Sequence, residues 1–299
     1  MKLLNSYKNG NVNVSIYEDG TRVLENDLDN FEFDFPLSMD VKITNKCPMG
    51  CAMCHEQSTP NGKEGDILNA KFVDTLHSGT EMAIGGGAVT SHPDLVAFLT
   101  KLKEKGIIPS ITVHQNEYEN NKELIKFLID NELIYGLGVS FHHKDDELWE
   151  EILEYPNAVV HLIIGIHDKQ VFDYLSEFNC KILLLGYKNF GRGKIYYETF
   201  DTVIDNNIQY LRDNLATYAS KFKVVSFDNL SIQQLNVRNL LTTKEWDSFY
   251  QGDDGTATMY IDLVNEEFAK TSTSTKRYKL QDDIESMFDI IKEEYKNDN

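Results

Sequence analysis

The chain has 299 residues and a formal net charge of −19, from 29 basic and 48 acidic residues. Nucleic-acid recognition over a broad surface needs a basic footprint, so this charge argues against such a partner. Hydrophobic residues make up 41% of the chain, which is enough for a sizeable core. No run of about 18 apolar residues predicts a membrane span, and the polar N terminus lacks a signal-peptide pattern. We therefore expect a cytoplasmic protein without a membrane partner.

The first 37 residues predict a small N-terminal β-hairpin extension. Residues 12–17 alternate apolar and polar side chains, and Glu18-Asp19-Gly20 is typical of a turn. Residues 21–24 form the returning strand of the predicted hairpin.

Strand and helix patterns alternate from residue 38 to residue 195. Predicted strands cover residues 41–44, 81–85, 110–114, 138–141, 159–166 and 181–185; predicted helices cover residues 67–77, 93–105, 121–131, 145–154 and 169–178. Six such β-α steps predict parallel strands joined by helical crossovers. A barrel and an ordinary doubly wound sheet would both give this pattern.

Three of the four cysteines, Cys47, Cys51 and Cys54, follow the first of these strands on a short segment. Thiolates at this spacing can converge on a single inorganic centre. A four-iron cluster normally takes four protein thiolates, so three ligands would leave one iron with an open site. An open site on a metal centre is where a substrate can bind.

Other uses of these cysteines are the alternatives. A structural zinc site normally takes four ligands, typically in two separated pairs, and His55 directly follows Cys54 and could hardly reach around the same ion. A disulfide framework would need a secretory context, which the sequence does not indicate. The fourth cysteine, Cys180, adjoins a strand and is interpreted as a buried, inert thiol.

The cysteine segment resembles the radical S-adenosylmethionine superfamily, whose signature is CxxxCxΦxC, here with Met53 at the Φ position. Two further segments, residues 84–87 (IGGG) and 92–95 (HPDL), are similar to the glycine motif of the family's second strand and the helix that follows it. The resemblance implies an α/β fold, a partial (β/α)6 TIM-like barrel over residues 38–195. In such barrels the chemistry lies at the carboxyl ends of the strands.

The resemblance also implies the cofactors. Cys47, Cys51 and Cys54 would hold a [4Fe-4S] cluster that, when reduced, cleaves S-adenosylmethionine to methionine and a 5′-deoxyadenosyl radical, which abstracts hydrogen from a substrate. An external electron donor such as flavodoxin or ferredoxin would reduce the cluster. The residues implied to contact S-adenosylmethionine are Met53, through its backbone, Gly85, Gly86, Gly87, Asn116 and Ser140. Gly87 stands where the family usually has the glutamate that accepts from the cofactor's amino group, so backbone carbonyls must replace that acceptor.

Residues 196–299 predict an α+β C-terminal extension, with a helix over 201–221, a strand over 224–227, a hairpin within 252–270 and a terminal helix over 282–295. The hairpin segment resembles a SPASM or twitch-type extension that lacks cysteines, which favours a peptide or protein side chain as substrate. A nucleotide or other small metabolite is the alternative, and a non-catalytic iron–sulfur electron-transfer or structural protein is the alternative from another class. Arg192, between two glycines, is a candidate for binding a carboxylate or phosphate of the substrate.

Overall fold

The computed structural model describes residues 2–28 and 30–298, which form a small antiparallel sheet and a large, mostly parallel one. Met1, Asp29 and Asn299, which belong to the predicted terminal extensions, lie outside the described residues. The small sheet contains β1 (Leu3–Asn9), β2 (Val12–Tyr17) and β3 (Arg22–Glu25), in that order. The predicted hairpin corresponds to β2 and β3. The sequence did not predict β1, because its side chains do not alternate cleanly between apolar and polar.

The large sheet has ten strands among the described residues. They are β4 (Ser38–Thr44), β5 (Glu81–Gly86), β6 (Ile108–His114), β7 (Gly136–Ser140), β8 (Ala158–Ile163), β9 (Lys181–Leu185), β10 (Val224–Phe227), β11 (Thr258–Asp262), β12 (Glu267–Ala269) and β13 (Tyr278–Lys279). Their spatial order is β10-β9-β8-β7-β6-β5-β4-β11-β12-β13. Strands β4 to β10 are parallel, β11 is parallel to β4, and β12 and β13 are antiparallel additions.

All six predicted strands of the β-α pattern are present as β4 to β9, so the prediction of a large parallel sheet is confirmed. The structure extends this sheet with β10 at one side and β11 to β13 at the other. Segments from the two sides also touch, because the Asn229 side chain donates to Asp254 at 2.7 Å and Lys188 donates to Ser272 at 3.0 Å. Closure into a partial barrel stays a prediction.

Helices follow most of the parallel strands, as the pattern predicts. They are α1 (Leu95–Glu104), α2 (Gln115–Asn120), α3 (Lys122–Asp130), α4 (Asp146–Leu153), α5 (Lys169–Ser176), α6 (Arg192–Ala219), α7 (Asn229–Gln234), α8 (Thr243–Phe249) and α9 (Ile284–Asp298). Two of them begin at aspartate caps: the Asp145 carboxylate accepts from Leu148 N–H, and Asp168 accepts from Gln170 N–H.

The helix predicted over residues 67–77 is wrong, since this segment contains a single 3₁₀ turn, Lys71–Thr75. Apolar residues of this segment are buried, as they would be in a helix packed on the core, but the backbone is bent and not helical. The Asp66 carboxylate accepts from both the backbone and the side chain of Asn69, and such local bonds compete with helical ones.

Other boundaries also differ from the predictions, and two of them concern the surroundings of the site. Strand β8 ends at Ile163, and the chain turns at Gly165, whose φ of +84° is in the left-handed region. Helix α6 begins at Arg192, nine residues before the predicted start at Asp201. Arg192 is therefore the first residue of a helix.

The predicted C-terminal extension shares the core of the parallel sheet. Strand β11 pairs with the first five residues of β4, Ser38 to Lys42, with Ile261 opposite Val41. In α9, the side chains at i, i+3, i+4 and i+7 from Ile284 form an apolar face and are at most 1% exposed: Ile284, Met287, Phe288 and Ile291. The division into residues 1–37, 38–195 and 196–299 stays a prediction. No helix in the part of the chain that the structure describes is both long and apolar enough to cross a membrane.

Because β11 completes the sheet beside β4, its core residue Ile261 should stabilise the whole fold. Ile261 is fully buried, so we predict that Ile261→Ala lowers the free energy of unfolding by about 2–5 kcal/mol. Ile195→Ala is the control, since Ile195 is 66% exposed. Urea unfolding of both variants tests this; equal, small changes would show that the C-terminal segment does not share the core.

Candidate functional site

The cysteine-bearing loop leaves the sheet at the carboxyl end of β4 and is anchored at its base. Cys47 N–H donates to the Thr59 carbonyl at 2.8 Å, and Thr59 N–H donates to the Asn45 carbonyl at 3.0 Å. Within the loop, Cys54 N–H donates to the Cys51 carbonyl at 3.3 Å. All three cysteines are free thiols and are partly exposed, so the anchored loop presents them to a ligand.

The three cysteine sulfurs do not form a ready-made site for a single ion. Among the described residues, the three ligand atoms that all lie within 4.8 Å of one another belong to Glu119, His143 and Asp145 and not to the cysteines. Three thiolates on one zinc ion would lie about 3.8 Å apart, given a Zn–S distance of about 2.3 Å. A donor set of three thiols on one loop fits a four-iron cluster with one iron left open.

Burial and mutual repulsion disfavour thiolates here without a cation. Burial raises the pKa of the Cys47 thiol and the charge of Glu117 raises it further, while the Arg192 guanidinium opposes this. Burial also raises the pKa of Cys51, and the charges of Cys54 and Cys47 add to the effect. A bound cationic centre would reverse this balance, because it stabilises the thiolate form directly.

Arg192 holds the cysteine loop from the start of α6. Its Nε–H donates to the Cys51 carbonyl at 3.2 Å, and Nη1 donates to the Ser58 carbonyl at 3.0 Å. The flanking glycines allow this approach: a Cβ at Gly191 would lie 2.4 Å from the His55 carbonyl oxygen, and one at Gly193 would lie 3.2 Å from that of Met53. Arg192 therefore positions the loop, and its role in substrate binding stays a prediction.

The three glycines at the end of β5 differ in their surroundings. A Cβ at Gly86 would lie 2.3 Å from the Thr44 carbonyl oxygen, and one at Gly87 would lie 2.4 Å from that of Lys46. Gly87 N–H also donates to the Thr44 carbonyl at 2.6 Å. At Gly85, by contrast, a Cβ would meet no described heavy atom within 4 Å. Gly86 and Gly87 thus let β5 pack against the chain just before Cys47, whereas Gly85 borders open space.

Polar side chains line up across the carboxyl ends of the next three strands. His114 pairs with Ser140, and Ser140 pairs with His161. These three residues are partly exposed, while their strand neighbours Val113 and Val139 are buried in the core, so the row lies on the sheet face opposite the helices. Ser140 was a predicted site residue.

His161 was not predicted as a site residue, although a histidine within an otherwise apolar strand indicates a polar position that can bind a ligand. Its ring lies against the backbone of β7, where a Cβ at Gly138 would come within 2.4 Å of His161 Nε2. Burial lowers the pKa of His161 to about 4, so the imidazole is neutral at physiological pH. Its Nδ1 is buried and has no hydrogen-bond partner among the described residues.

Asn116 lies at the first turn of α2, which the sequence did not predict as a helix. His114 caps this helix, since its Nδ1 accepts from Asn116 N–H at 3.1 Å. Burial, with the nearby His142 and His143, lowers the pKa of His114 to about 4. The side-chain oxygen of Asn116 is buried without a hydrogen-bond partner in the described chain. An unpaired buried acceptor costs about 1–3 kcal/mol, so this atom is suited to a ligand's donor.

Glu117, also not predicted from the sequence, links two loops at the same edge. It is 2% exposed. One carboxylate oxygen accepts from Thr90 N–H at 2.9 Å and from the Thr90 hydroxyl at 2.8 Å, and the other accepts from His114 N–H at 3.3 Å. Its charge also acts on Cys47, so Glu117 links the β5 and β6 loops beside the cysteine loop.

A buried ion network fixes the other side of the cysteine loop. Lys42, 6% exposed, lies between Glu56 at 2.8 Å and Asp262 at 3.1 Å. Asp262 ends β11 and also accepts from two backbone N–H groups of the following turn. Burial alone would raise the pKa of Glu56, but the hydrogen bond and charge of His55 and the charge of Lys42 lower it to about 2. The network ties the loop to β4 and β11.

The chain matches no known protein-family model and no curated protein sequence. Its fold is similar to that of Streptococcus suis SuiB, which has been crystallised with S-adenosylmethionine and with a precursor peptide. With SuiB bound to its precursor peptide SuiA, the identity is 15% and the TM-score 0.55, over 86% of this chain and 65% of SuiB. With SuiB bound to S-adenosylmethionine, the identity is 13% and the TM-score 0.54, over 83% of this chain and 62% of SuiB. The chain spans less than two thirds of SuiB in both comparisons, and the resemblance noted in the sequence is confirmed at the level of the fold.

The surroundings of the glycines predict opposite outcomes for two alanine substitutions. Gly87→Ala places a Cβ against the Lys46 carbonyl and should displace the start of the cysteine loop, lowering iron incorporation severalfold. Gly85→Ala adds a Cβ to open space and should keep both the iron content and the thermal midpoint. Iron analysis after anaerobic reconstitution measures this. Equal iron contents would contradict the tight packing of β5 on the loop.

The same clash predicts that Gly87→Glu, which would restore the usual family glutamate, is not tolerated.

The pKa of Glu56 predicts a pH-dependent contribution to stability. Its folded pKa of about 2 lies below its value of about 4.3 in the unfolded chain, so the contribution is present above about pH 4.3 and is lost as the pH falls toward 2. Glu56→Gln should lower the free energy of unfolding at neutral pH by about 1.5–3 kcal/mol, because Lys42 loses one of its two carboxylate partners and keeps only Asp262.

The control for this prediction is Glu64→Gln, which breaks the more exposed pair with Lys46 and should change stability by less than about 1 kcal/mol. Urea unfolding between neutral pH and about pH 3 follows both variants. If wild type and Glu56→Gln lose stability equally over the acid range, the network does not stabilise the loop.

Proposed function

We propose that the chain is a radical S-adenosylmethionine enzyme that acts on a peptide or protein side chain. The observation that carries the proposal is the anchored loop with three free thiols at the carboxyl end of β4, in a fold similar to that of SuiB. Cys47, Cys51 and Cys54 would hold a [4Fe-4S] cluster by three of its irons and leave the fourth for S-adenosylmethionine.

When bound, the cluster and S-adenosylmethionine supply a one-electron reduction and a carbon radical that can abstract hydrogen from the substrate. An external donor such as flavodoxin or ferredoxin would deliver the electron. The protein's part is to hold these groups, to orient the substrate and to exclude water.

The chain's own residues provide acceptors for the cofactor's donor groups. Gly85 borders open space, so its carbonyl and that of Gly86 can accept from the cofactor's ammonium group without a side chain between them. The unpaired oxygen of Asn116 can accept from a ribose hydroxyl. Ser140 can contact the ribose or the carboxylate, and the backbone of Met53 can contact the adenine.

The neutral histidines add acceptors that do not repel a cationic cofactor. His114 and His161 both have a pKa of about 4, so neither ring carries a proton at physiological pH. S-adenosylmethionine has a positive sulfonium centre, and protonated rings beside it would oppose binding. The unpaired Nδ1 of His161 is available to a donor of the cofactor or the substrate.

The peptide substrate is proposed because SuiB has been crystallised with a precursor peptide and because the sheet faces an interior cavity. This cavity, of about 250 Å³, lies between the two sides of the large sheet and is lined by Asp40, Lys188, Asp228 and Asp254, among others. A cavity with several charged groups can select the residue of an entering chain by charge and hydrogen bonding.

The test begins with iron. Anaerobically reconstituted protein should hold about four irons per chain, and Cys47→Ala, Cys51→Ala and Cys54→Ala should each abolish the cluster. Cys180→Ala is the control, since Cys180 is 4% exposed in the core. With a chemical reductant, cluster-loaded wild type should slowly release 5′-deoxyadenosine from S-adenosylmethionine. Loss of the cluster in Cys180→Ala, or a full cluster without any cofactor cleavage, would contradict the proposal and favour an electron carrier or a structural iron–sulfur protein.

A further inference from the structure

Strand β10 forms one edge of the large sheet. It pairs with β9 through Val224–Lys181 to Phe227–Leu184, and no described strand pairs with its other side. In a parallel sheet, alternate N–H and C=O groups of an edge strand point away from the sheet. Such an edge is a ready template for another extended chain.

A groove with a volume of about 940 Å³ runs beside this edge. It lies between the C-terminal part of α6 and the segment that leads into α8, and most of its lining is apolar: Leu215, Ala216, Ala219, Phe222, Val224, Val225, Phe227, Val237, Leu240, Leu241 and Phe249. Val224 is 43% exposed and Leu240 is 49% exposed. Apolar side chains exposed beside an unpaired strand edge suit the apolar side chains of an added strand.

The charges at the groove favour an acidic occupant. In a chain of net charge −19, the charged residues that line it are Lys223, Lys244 and Glu245. The Glu245 carboxylate is engaged, since it accepts from Thr242 N–H at 2.8 Å and from the Thr242 hydroxyl at 2.7 Å. Both lysines are exposed, so they can reach acidic side chains at the border of an occupant.

The groove lies next to the charged cavity. Phe227, the last residue of β10, lines both the groove and the cavity, and Asp228, the next residue, lines the cavity together with Asp40. The carboxyl end of β10 therefore separates the groove from the cavity by a single residue.

We propose that the free edge of β10 and its groove bind an extended polypeptide segment, apolar at alternate positions and acidic at its borders, as an added strand. Main-chain hydrogen bonds to β10 hold the segment, and the groove takes every second side chain. The assignment of this segment to the enzyme's substrate rests on the proposed function; the binding itself does not.

The test uses two fluorescein-labelled synthetic peptides as probes, EVTVEVTVE and its lysine counterpart KVTVKVTVK, and measures fluorescence anisotropy with the full chain. Wild type should bind the acidic peptide more tightly than the lysine peptide. Leu240→Asp should weaken that binding by about tenfold or more, equivalent to about 1.4 kcal/mol. Leu3→Asp is the matched control, because Leu3 is also 49% exposed and lies in the small sheet; it should bind like wild type.

Hydrogen exchange adds a readout at the strand itself. The acidic peptide should slow exchange of the amides of residues 224–227 in wild type and not in Leu240→Asp. Equal binding of the two peptides, unchanged binding by Leu240→Asp, or protection elsewhere would overturn the proposal. If wild type dimerises with rising concentration, Leu240→Asp does not, and neither binds the peptide, the groove binds a second copy of the chain and the proposal is overturned. Iron content and cofactor cleavage by wild type test the proposed function separately, so the two can fail independently.

Discussion

The buried ammonium of Lys42 is the point on which the arrangement of the site depends. It bridges Glu56 of the cysteine loop and Asp262 at the end of β11, so it joins a local loop to a strand that comes some 220 residues later in the chain. Removing these charges from water is costly, and such a network contributes more to a defined geometry than to net stability. The network fixes the position of the cysteine loop relative to β4 and β11. The C-terminal segment is thereby part of the site's support.

Close backbone contacts hold the rest of the site. Gly86 and Gly87 bring β5 against the chain before Cys47, and Gly191 and Gly193 bring the start of α6 against the loop after it. Arg192 fills the space between these contacts with two hydrogen bonds to loop carbonyls. The loop is thus held mostly through its backbone, which leaves the three thiols free for a common ligand. A site held in this way can keep its geometry while the facing side chains, such as His161, adapt to a particular substrate.

The sequence was sufficient to predict the parallel sheet, because buried parallel strands and their crossover helices leave strong apolar patterns. It also predicted the cysteine loop, since the spacing of Cys47, Cys51 and Cys54 is itself the signal. It could not predict that β11 pairs with β4, because pairing between distant segments depends on the assembled fold. It did not identify Lys42 as part of the site, because the partners of this lysine, Glu56 and Asp262, belong to other elements. The helix predicted over residues 67–77 failed because buried apolar residues alone do not distinguish a helix from a bent segment.

The central claim is that three thiolates hold a cluster with one iron open to S-adenosylmethionine. Electron paramagnetic resonance of the reduced, reconstituted protein, recorded with and without S-adenosylmethionine, tests it most directly, because direct binding to an iron alters the electronic environment of the cluster. The account predicts that the cofactor changes the spectrum of wild type and of Cys180→Ala alike. An unchanged spectrum in protein that carries its full complement of iron and a saturating concentration of cofactor would contradict the account.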